Sequence, residues 1–184
     1  MPEAYPNLVA GQRLTASLLR SMQPQVARKT ADTALSATTT QTLDPHLQFT
    51  AEANSVYVFD GWLAYDSDIA ADLVIAFSTP SGTKGKWCGF GTGTTVISGT
   101  SGNATQQNAV STWGYTVRVE YTDIASPRTF GGLNVGNPES IYLYGTARFG
   151  PTGGTWGLTW AQAVSTASAT TVYTDSWLKA QRIA

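Results

Sequence analysis

Residues 55–65, SVYVFDGWLAY, predict a β-strand because apolar residues recur at every second position. Both faces of this strand are apolar, and a strand of that kind is covered on both sides. In a sandwich of two sheets only one face of a strand meets the core, so we expect a neighbouring subunit to cover the other face. The two faces carry Val56, Val58, Trp62 and Ala64 on one side and Tyr57, Phe59, Leu63 and Tyr65 on the other. The subunit-interface residues that we assign are Tyr57, Phe59, Leu63 and Tyr65, with the opposite set as the alternative.

The sequence around this strand predicts about eight to ten short strands separated by turn residues. They include DLVIAFS at 72–78, WGYTVRVEYT at 113–122 and GTWGLTWAQ at 154–162, and Asp44-Pro45 predicts a turn between two of them. Regular short strands without a second helical pattern are typical of an antiparallel β-sandwich or jelly roll. We therefore expect residues 38–184 to form one all-β domain. Within it, the Gly/Ser/Thr/Asn/Gln-rich stretch 91–112 predicts a long loop with at most one short strand, at TTVIS.

The pattern of residues 1–37 differs from the strand pattern that follows and predicts an extended arm, a helix and a polar connector. GQRLTASLLRSMQP at 11–24 has the 3.6-residue period of an amphipathic helix, expected over 12–22. Three turns of helix are marginal alone in water, so we expect the apolar stripe to pack against another chain. The anchor residues that we assign are Leu14, Leu18, Leu19 and Met22 on the stripe and Arg13 and Arg20 beside it. Since the connector, 25–37, is polar, removal of residues 1–30 is expected to leave the sandwich folded.

The composition restricts the classes of partner. The chain has 184 residues, only 12% of them charged, 11% aromatic residues and a net charge of −1. Nucleic-acid binding is not expected, because phosphate neutralisation needs a basic patch. Residues 1–30 nevertheless carry +3, from Arg13, Arg20, Arg28 and Lys29 against Glu3, which leaves −4 in the remainder. That segment is therefore expected to dock on an acidic protein surface.

The same sequence predicts a cytoplasmic folding compartment. The N-terminus lacks the apolar core of a signal peptide, and no run approaches the ~18 apolar residues of a membrane span. The single cysteine, Cys88, predicts a buried hydrophobe rather than a disulfide partner. We expect no membrane partner.

Residues suited to catalysis or metal binding are few, and we assign no catalytic, cofactor-binding or metal-binding residue. His46 is the only histidine, which excludes multi-histidine metal sites, and we expect it to be structural or solvated. The carboxylates of Asp60 and Glu120 lie mid-strand, and a glycosidase pair is not favoured. Asp66, Asp68 and Asp72 predict an ordinary turn, with an oxygen-ligand cation site as the alternative. Three tryptophans predict core packing, with sugar stacking as the alternative: Trp156, Trp160 and Trp177.

Several stretches resemble small virion proteins of tailed phages and prophages of actinobacteria. They are YPNLVAGQRLTASLLRSMQP, KTADT, EANSVYVFDGWLAYD and the C-terminal TWAQ and TTVYTDSWLKAQRIA. HLQFTAEANSVYVFDG is also similar in strand order to C1q/TNF-like trimeric jelly rolls, a likeness of fold only.

The resemblance implies a non-enzymatic structural protein of a phage virion. Such a protein is a minor tail or fibre protein or a capsid decoration protein, made in the host cytoplasm, displayed on the particle and anchored by its N-terminal segment. Its expected partners are its own copies, most simply in a closed trimer, and other virion proteins of the capsid or tail; a host cell-surface glycan is a further candidate. The alternative function is a carbohydrate-binding module or a glycan hydrolase.

Overall fold

The computed structural model describes residue 6 and residues 8–96, 104–106, 109–111, 114–115 and 124–184. In that part of the chain there is one helix, α1, at Ala16–Ser21. The strands, in chain order, are β1 Gln25–Arg28, β2 Thr33–Leu35, β3 Thr42–Ala51, β4 Val56–Asp66, β5 Leu73–Ser78, β6 Lys84–Phe90, β7 Thr92–Val96, β8 Ala104–Gln106, β9 Ala109–Ser111, β10 Gly114–Tyr115, β11 Arg128–Phe130, β12 Glu139–Arg148, β13 Gly154–Gln162, β14 Thr170–Val172 and β15 Trp177–Arg182.

Two antiparallel sheets form a sandwich, which confirms the predicted all-β fold. The larger sheet has the order β1-β15-β4-β12-β6, with β14 paired to β4 and β2, and the smaller sheet has the order β11-β5-β13-β3. Along the chain, β3, β5, β11 and β13 of the smaller sheet alternate with long strands of the larger sheet. This crossing from sheet to sheet is the arrangement of a jelly roll.

The core lies between the inner faces of the two sheets and centres on Trp156, which is fully buried. Its ring centroid lies 5.3 Å from that of Phe49 and 5.5 Å from those of Phe59 and Phe149. Glycines on the inner face make room for these rings: a Cβ at Gly145 would lie 2.7 Å from the Phe59 ring. Aromatic packing of this density accounts for much of the apolar burial of the domain.

The assignment of the β4 residues to a subunit interface is wrong for the set that we chose. Tyr57, Phe59, Leu63 and Tyr65 are at most 3% exposed and belong to the core of their own domain. The sequence of β4 did not distinguish its two faces, because both are apolar. The inner face is the one that meets the aromatic cluster around Trp156, and the alternative set faces outward.

The helix is shorter than the predicted 12–22. The side chain of Thr15 accepts a hydrogen bond from the backbone N–H of Leu18 at 3.2 Å, so Thr15 is the N-cap and α1 begins at Ala16. The helix has six residues, and none of them is buried.

The prediction that residues 25–37 form a polar connector is wrong. β1 pairs with β15 from Gln25↔Ala180 to Arg28↔Trp177, and β2 pairs with β14. The Lys29 ammonium is fully buried and binds the Asp44 carboxylate at 2.7 Å. Because this segment supplies an edge strand and a buried ion pair, the sandwich begins near residue 25 rather than 38.

The Asp44-Pro45 pair does not turn the chain between two strands. β3 continues through it, and the register with β13 shifts between Gly157 and Thr159. Proline is tolerated on an edge strand, where its missing N–H costs no ladder bond. The Asp44 carboxylate accepts the N–H groups of His46 and Leu47 at 2.9 and 3.1 Å, which stabilises the irregular backbone.

The stretch 91–112 contains more strand than predicted. β7 pairs with β8, and β9 pairs with β10, so the expectation of at most one short strand is wrong. Of the strand predicted at 113–122, only 114–115 belong to the described residues.

Candidate interaction surfaces

An aromatic row crosses the outer face of the larger sheet, the face directed away from the core. Trp177 of β15 lies opposite Trp62 of β4, Trp62 lies opposite Tyr142 of β12, and Tyr142 lies opposite Phe90 of β6. Trp62 is 37% exposed, Tyr142 44% and Phe90 51%. These four residues, which we call the aromatic row, form a continuous apolar band across four strands.

Further apolar side chains extend this outer face along the strands. Tyr144, Val58 and Val26 are exposed on it, and the Tyr144 ring lies 6.0 Å from the Tyr142 ring between centroids. The one ion pair that the described residues place in its centre joins Lys179 and Asp60 at 2.9 Å. A contiguous apolar patch with a polar rim marks a binding surface on a soluble protein.

The three tryptophans predicted from the sequence divide between core and surface. Trp156 and Trp160 are at most 1% exposed, as the core interpretation predicted. Trp177 is half-buried on the outer face beside Trp62. Trp62 belongs to the alternative interface set of β4, but the sequence reasoning missed Tyr142 and Phe90. Tyr142 has the parity of an outward position in ESIYLYGTAR, where Ile141 and Leu143 point inward.

The N-terminal helix and the residues that flank it expose a second apolar surface. Leu14 is 63% exposed and Leu19 50%, while Leu18 and Met22 are half-buried. Of the four cations expected to face a partner, Arg28 binds Asp175 and Lys29 binds Asp44. Arg13 and Arg20 have no ionic partner among the described residues.

The aspartates of the β4–β5 turn and Glu139 hold their own chain in place. Asp66 accepts the N–H of Gly136 at 2.5 Å, and Asp72 accepts the N–H of Gly132 at 3.0 Å. Glu139 accepts the N–H of Leu133 at 2.5 Å and the Tyr65 hydroxyl at 3.3 Å. These carboxylates therefore fix the segment 131–137 against the end of β4.

Asp66, Asp68 and Asp72 make the hydrogen bonds of a turn, and Oδ1 of Asp66 is buried without a hydrogen-bond partner among the described residues. The Asp68 carboxylate accepts the N–H of Ala70 at 2.8 Å, as an Asx turn does. Across the described ranges, no group of three or more His, Cys, Asp or Glu side chains is placed to hold a metal ion.

Burial, the largest influence on both groups, raises the pKa of Asp72 and of Glu139 above their ordinary values. A raised folded-state pKa contributes stability that is present below the unfolded pKa and lost as the pH rises through the folded pKa. The ionised form of Glu139 therefore costs stability near neutral pH.

We expect Glu139→Gln to raise the thermal midpoint relative to wild type more at about pH 7 than at about pH 4, because glutamine mimics the protonated acid. The side-chain carbonyl of the introduced glutamine would still accept the N–H of Leu133. Thermal unfolding across this pH range checks the difference, and Glu52→Gln, an exposed carboxylate, is the control. A midpoint difference that does not change with pH would contradict the role assigned to Glu139.

The remaining candidates for chemistry that the structure describes, His46, Asp60 and Cys88, lie apart on different strands. His46 is half-buried, and its Nδ1 has no hydrogen-bond partner among the described residues. Asp60 binds Lys179, and Glu120 lies outside the described residues. Cys88 is 2% exposed under the outer face.

Comparisons with known proteins leave the family open. No family model matches the chain, and no curated protein matches it. A structure of the Gx strain of infectious bursal disease virus is similar at 14% identity and a TM-score of 0.20, over 98% of this chain and 47% of that chain. The VP2 subviral particle of that virus is similar at 13% identity and a TM-score of 0.17, over 100% and 46%.

The chain thus spans about half the length of these solved chains. Likenesses at such TM-scores carry no inference about this chain. In the described part of the chain, no helix has the length and apolar character needed to cross a membrane.

Proposed function

We propose that this protein is a non-enzymatic structural component of a phage virion, namely a minor tail, fibre or capsid decoration protein. Its N-terminal segment anchors it, and its sandwich is displayed on the particle surface. The observation that carries the proposal is the pair of exposed apolar surfaces that the described residues form on one small domain, the outer face and the N-terminal helix with its flanking residues. An assembly protein needs two such surfaces, one for its own copies and one for its support. The sequence resemblance to virion proteins supports the same assignment.

The aromatic row and the apolar side chains beside it on the outer face are the proposed contact between copies. Exposed Trp62, Tyr142 and Tyr144 are residue types enriched in buried interface centres. Closed cyclic symmetry is the rule for such assemblies, and a trimer is the proposed state. This contact uses the alternative face of β4, because the first assigned face forms the core.

The aromatic row also favours a second candidate, a carbohydrate-binding module. Trp and Tyr rings combine an apolar face with a polar handle and suit stacking against sugar rings. A glycan array with the purified protein tests this candidate, and an assay for released reducing ends tests the related glycan hydrolase. Specific glycan binding that Trp62→Ala abolishes, or robust turnover, would replace the structural assignment.

Electron microscopy of intact particles with a labelled antibody against residues 25–184 tests the structural assignment. We expect regularly placed label on the capsid or the tail, because a structural component occupies fixed sites. Particles produced without this chain serve as the control. Absence of the protein from purified particles would contradict the proposal.

A further inference from the structure

The charges of the sandwich are separated along its strands. Where β4 ends and β12 begins, the described residues place carboxylates, and Arg28 there is paired with Asp175. At the opposite end, where β4 begins and β12 ends, they place mostly cations. The acidic end carries Asp32, Asp66, Asp68, Asp72, Glu139 and Asp175, and the basic end carries Lys84, Lys86, Arg148 and Arg182 with Glu52.

Three of these cations are adjacent and unpaired. Arg148 lies directly opposite Lys84 in the ladder of β12 and β6, and Lys86 follows on the same face. Like charges opposite each other destabilise a sheet, yet none of the three has an ionic partner among the described residues. They line a depression of about 440 Å³ with Val56 and Ile183. A repulsive arrangement of this kind is relieved when an anionic partner binds.

Two further cations, Arg20 and Arg182, lie at the same end of the sandwich but on the other side of the larger sheet, near the N-terminal helix. Arg182, which binds Glu52, lies at the end of β15, next to the start of β4. Arg20 of α1 lines a small pocket together with Arg182 and Glu52. The anchor helix therefore lies at the basic end of the sandwich. We call the surface formed by Lys84, Lys86 and Arg148 the basic strip.

We propose that the basic strip, together with the exposed Leu14 and Leu19 at the N-terminal helix, docks on an acidic protein surface of the particle. This inference rests on the proposed function, because it names the partner of the anchored end. The sequence confined the anchor to residues 1–37. This inference extends the anchor to residues of the β-domain that lie more than sixty positions after the helix. The sandwich then stands with its basic end toward the particle and its acidic end outward.

The chemistry beside the strip favours a protein over a nucleic acid. Leu14 and Leu19 are exposed at the N-terminal helix, where Leu19 precedes Arg20, and Val56 and Ile183 line the depression of the strip. Exposing apolar side chains to water costs free energy, and a contact that excludes water removes this cost. The phosphate backbone of a nucleic acid offers no such contact. A protein surface with carboxylates around an apolar centre complements both features.

A binding assay with particles that lack this chain tests the inference. The variant is the full chain with Lys84→Glu, Lys86→Glu and Arg148→Glu, and the control carries Ile69→Glu, Val135→Glu and Val164→Glu, three exposed positions at the acidic end. At low salt we expect the strip variant to bind about tenfold more weakly or worse, with a flatter salt dependence than wild type. The control is expected to bind within about twofold of wild type, because surface charges beyond the Debye length are screened.

The outcomes distinguish a failure of this inference from a failure of the proposed function. If the strip variant binds the particles as tightly as wild type and a chain lacking residues 1–23 does not bind, the role of the basic strip is overturned and the N-terminal anchor is retained. No binding by wild type itself overturns both. A 20-base-pair DNA duplex is the second probe, and tight binding to it that the strip variant loses would overturn the acidic protein partner. Circular dichroism confirms that each variant is folded before binding is compared.

Discussion

Replacing Lys29 with methionine is expected to lower the free energy of unfolding by about 3–5 kcal/mol, the cost of leaving a buried charge without its partner. The Lys29 Nζ donates to Asp44 at 2.7 Å and to the Thr33 hydroxyl at 2.8 Å, and both charged side chains are fully buried. Without the ammonium, the Asp44 carboxylate keeps hydrogen bonds from the Trp160 indole and two backbone N–H groups but loses its countercharge. Chemical denaturation measures the change.

Lys179→Met is the matched control for this prediction. Lys179 binds Asp60 at a similar distance, but the two side chains are 42% and 25% exposed. Solvent-exposed ion pairs contribute about 0–1 kcal/mol, so the control is expected to be mild. Equal, small effects of both substitutions would show that Lys29 is not buried against Asp44.

The buried ion pair changes what can be removed from the chain. Deletion of residues 1–30 would take away β1 and Lys29 together, so we now expect that deletion to destabilise the sandwich. Residues 1–23 precede β1, and no residue of α1 is buried. Their removal is expected to leave the domain folded.

The fold could be predicted because short apolar runs separated by turn residues are a strong local signal. β4, β5 and β13 each follow this pattern, and the structure has all three as strands. The choice of the inner face of β4 could not be made from that strand alone. It depends on Gly145 and Trp156, which lie far away in sequence. Gly145 meets Phe59 when β12 pairs with β4, and Trp156 meets it when the two sheets pack.

The surfaces were less predictable, since each one is assembled from distant segments. Lys29 lies in the polar stretch VARKTAD, which predicts a solvent-exposed side chain. Asp44 precedes Pro45, and this pair predicts a turn. Arg148 and Lys84 are ordinary surface cations in sequence, and only the register of β12 with β6 makes them neighbours. The helix stripe was visible locally, but its length depended on the capping hydrogen bond of Thr15.

Anchoring by the N-terminal segment predicts a large loss of particle incorporation when residues 1–23 are removed. Burying the exposed parts of Leu14 and Leu19 would supply about 3 kcal/mol, which corresponds to a roughly hundredfold change in affinity. The double substitution Leu14→Asp and Leu19→Asp is expected to act in the same direction without shortening the chain. Val164→Asp, an exposed apolar position at the acidic end, is the matched control.

The most direct measurement is the amount of each variant in purified particles, determined by quantitative mass spectrometry against a capsid protein. We predict full incorporation of wild type and Val164→Asp, and almost none of the deletion or of the Leu14→Asp, Leu19→Asp double variant, with all four chains folded by circular dichroism. Incorporation of the folded deletion variant at the wild-type level would contradict the N-terminal anchor, and absence of wild type from the particles would contradict the virion assignment itself.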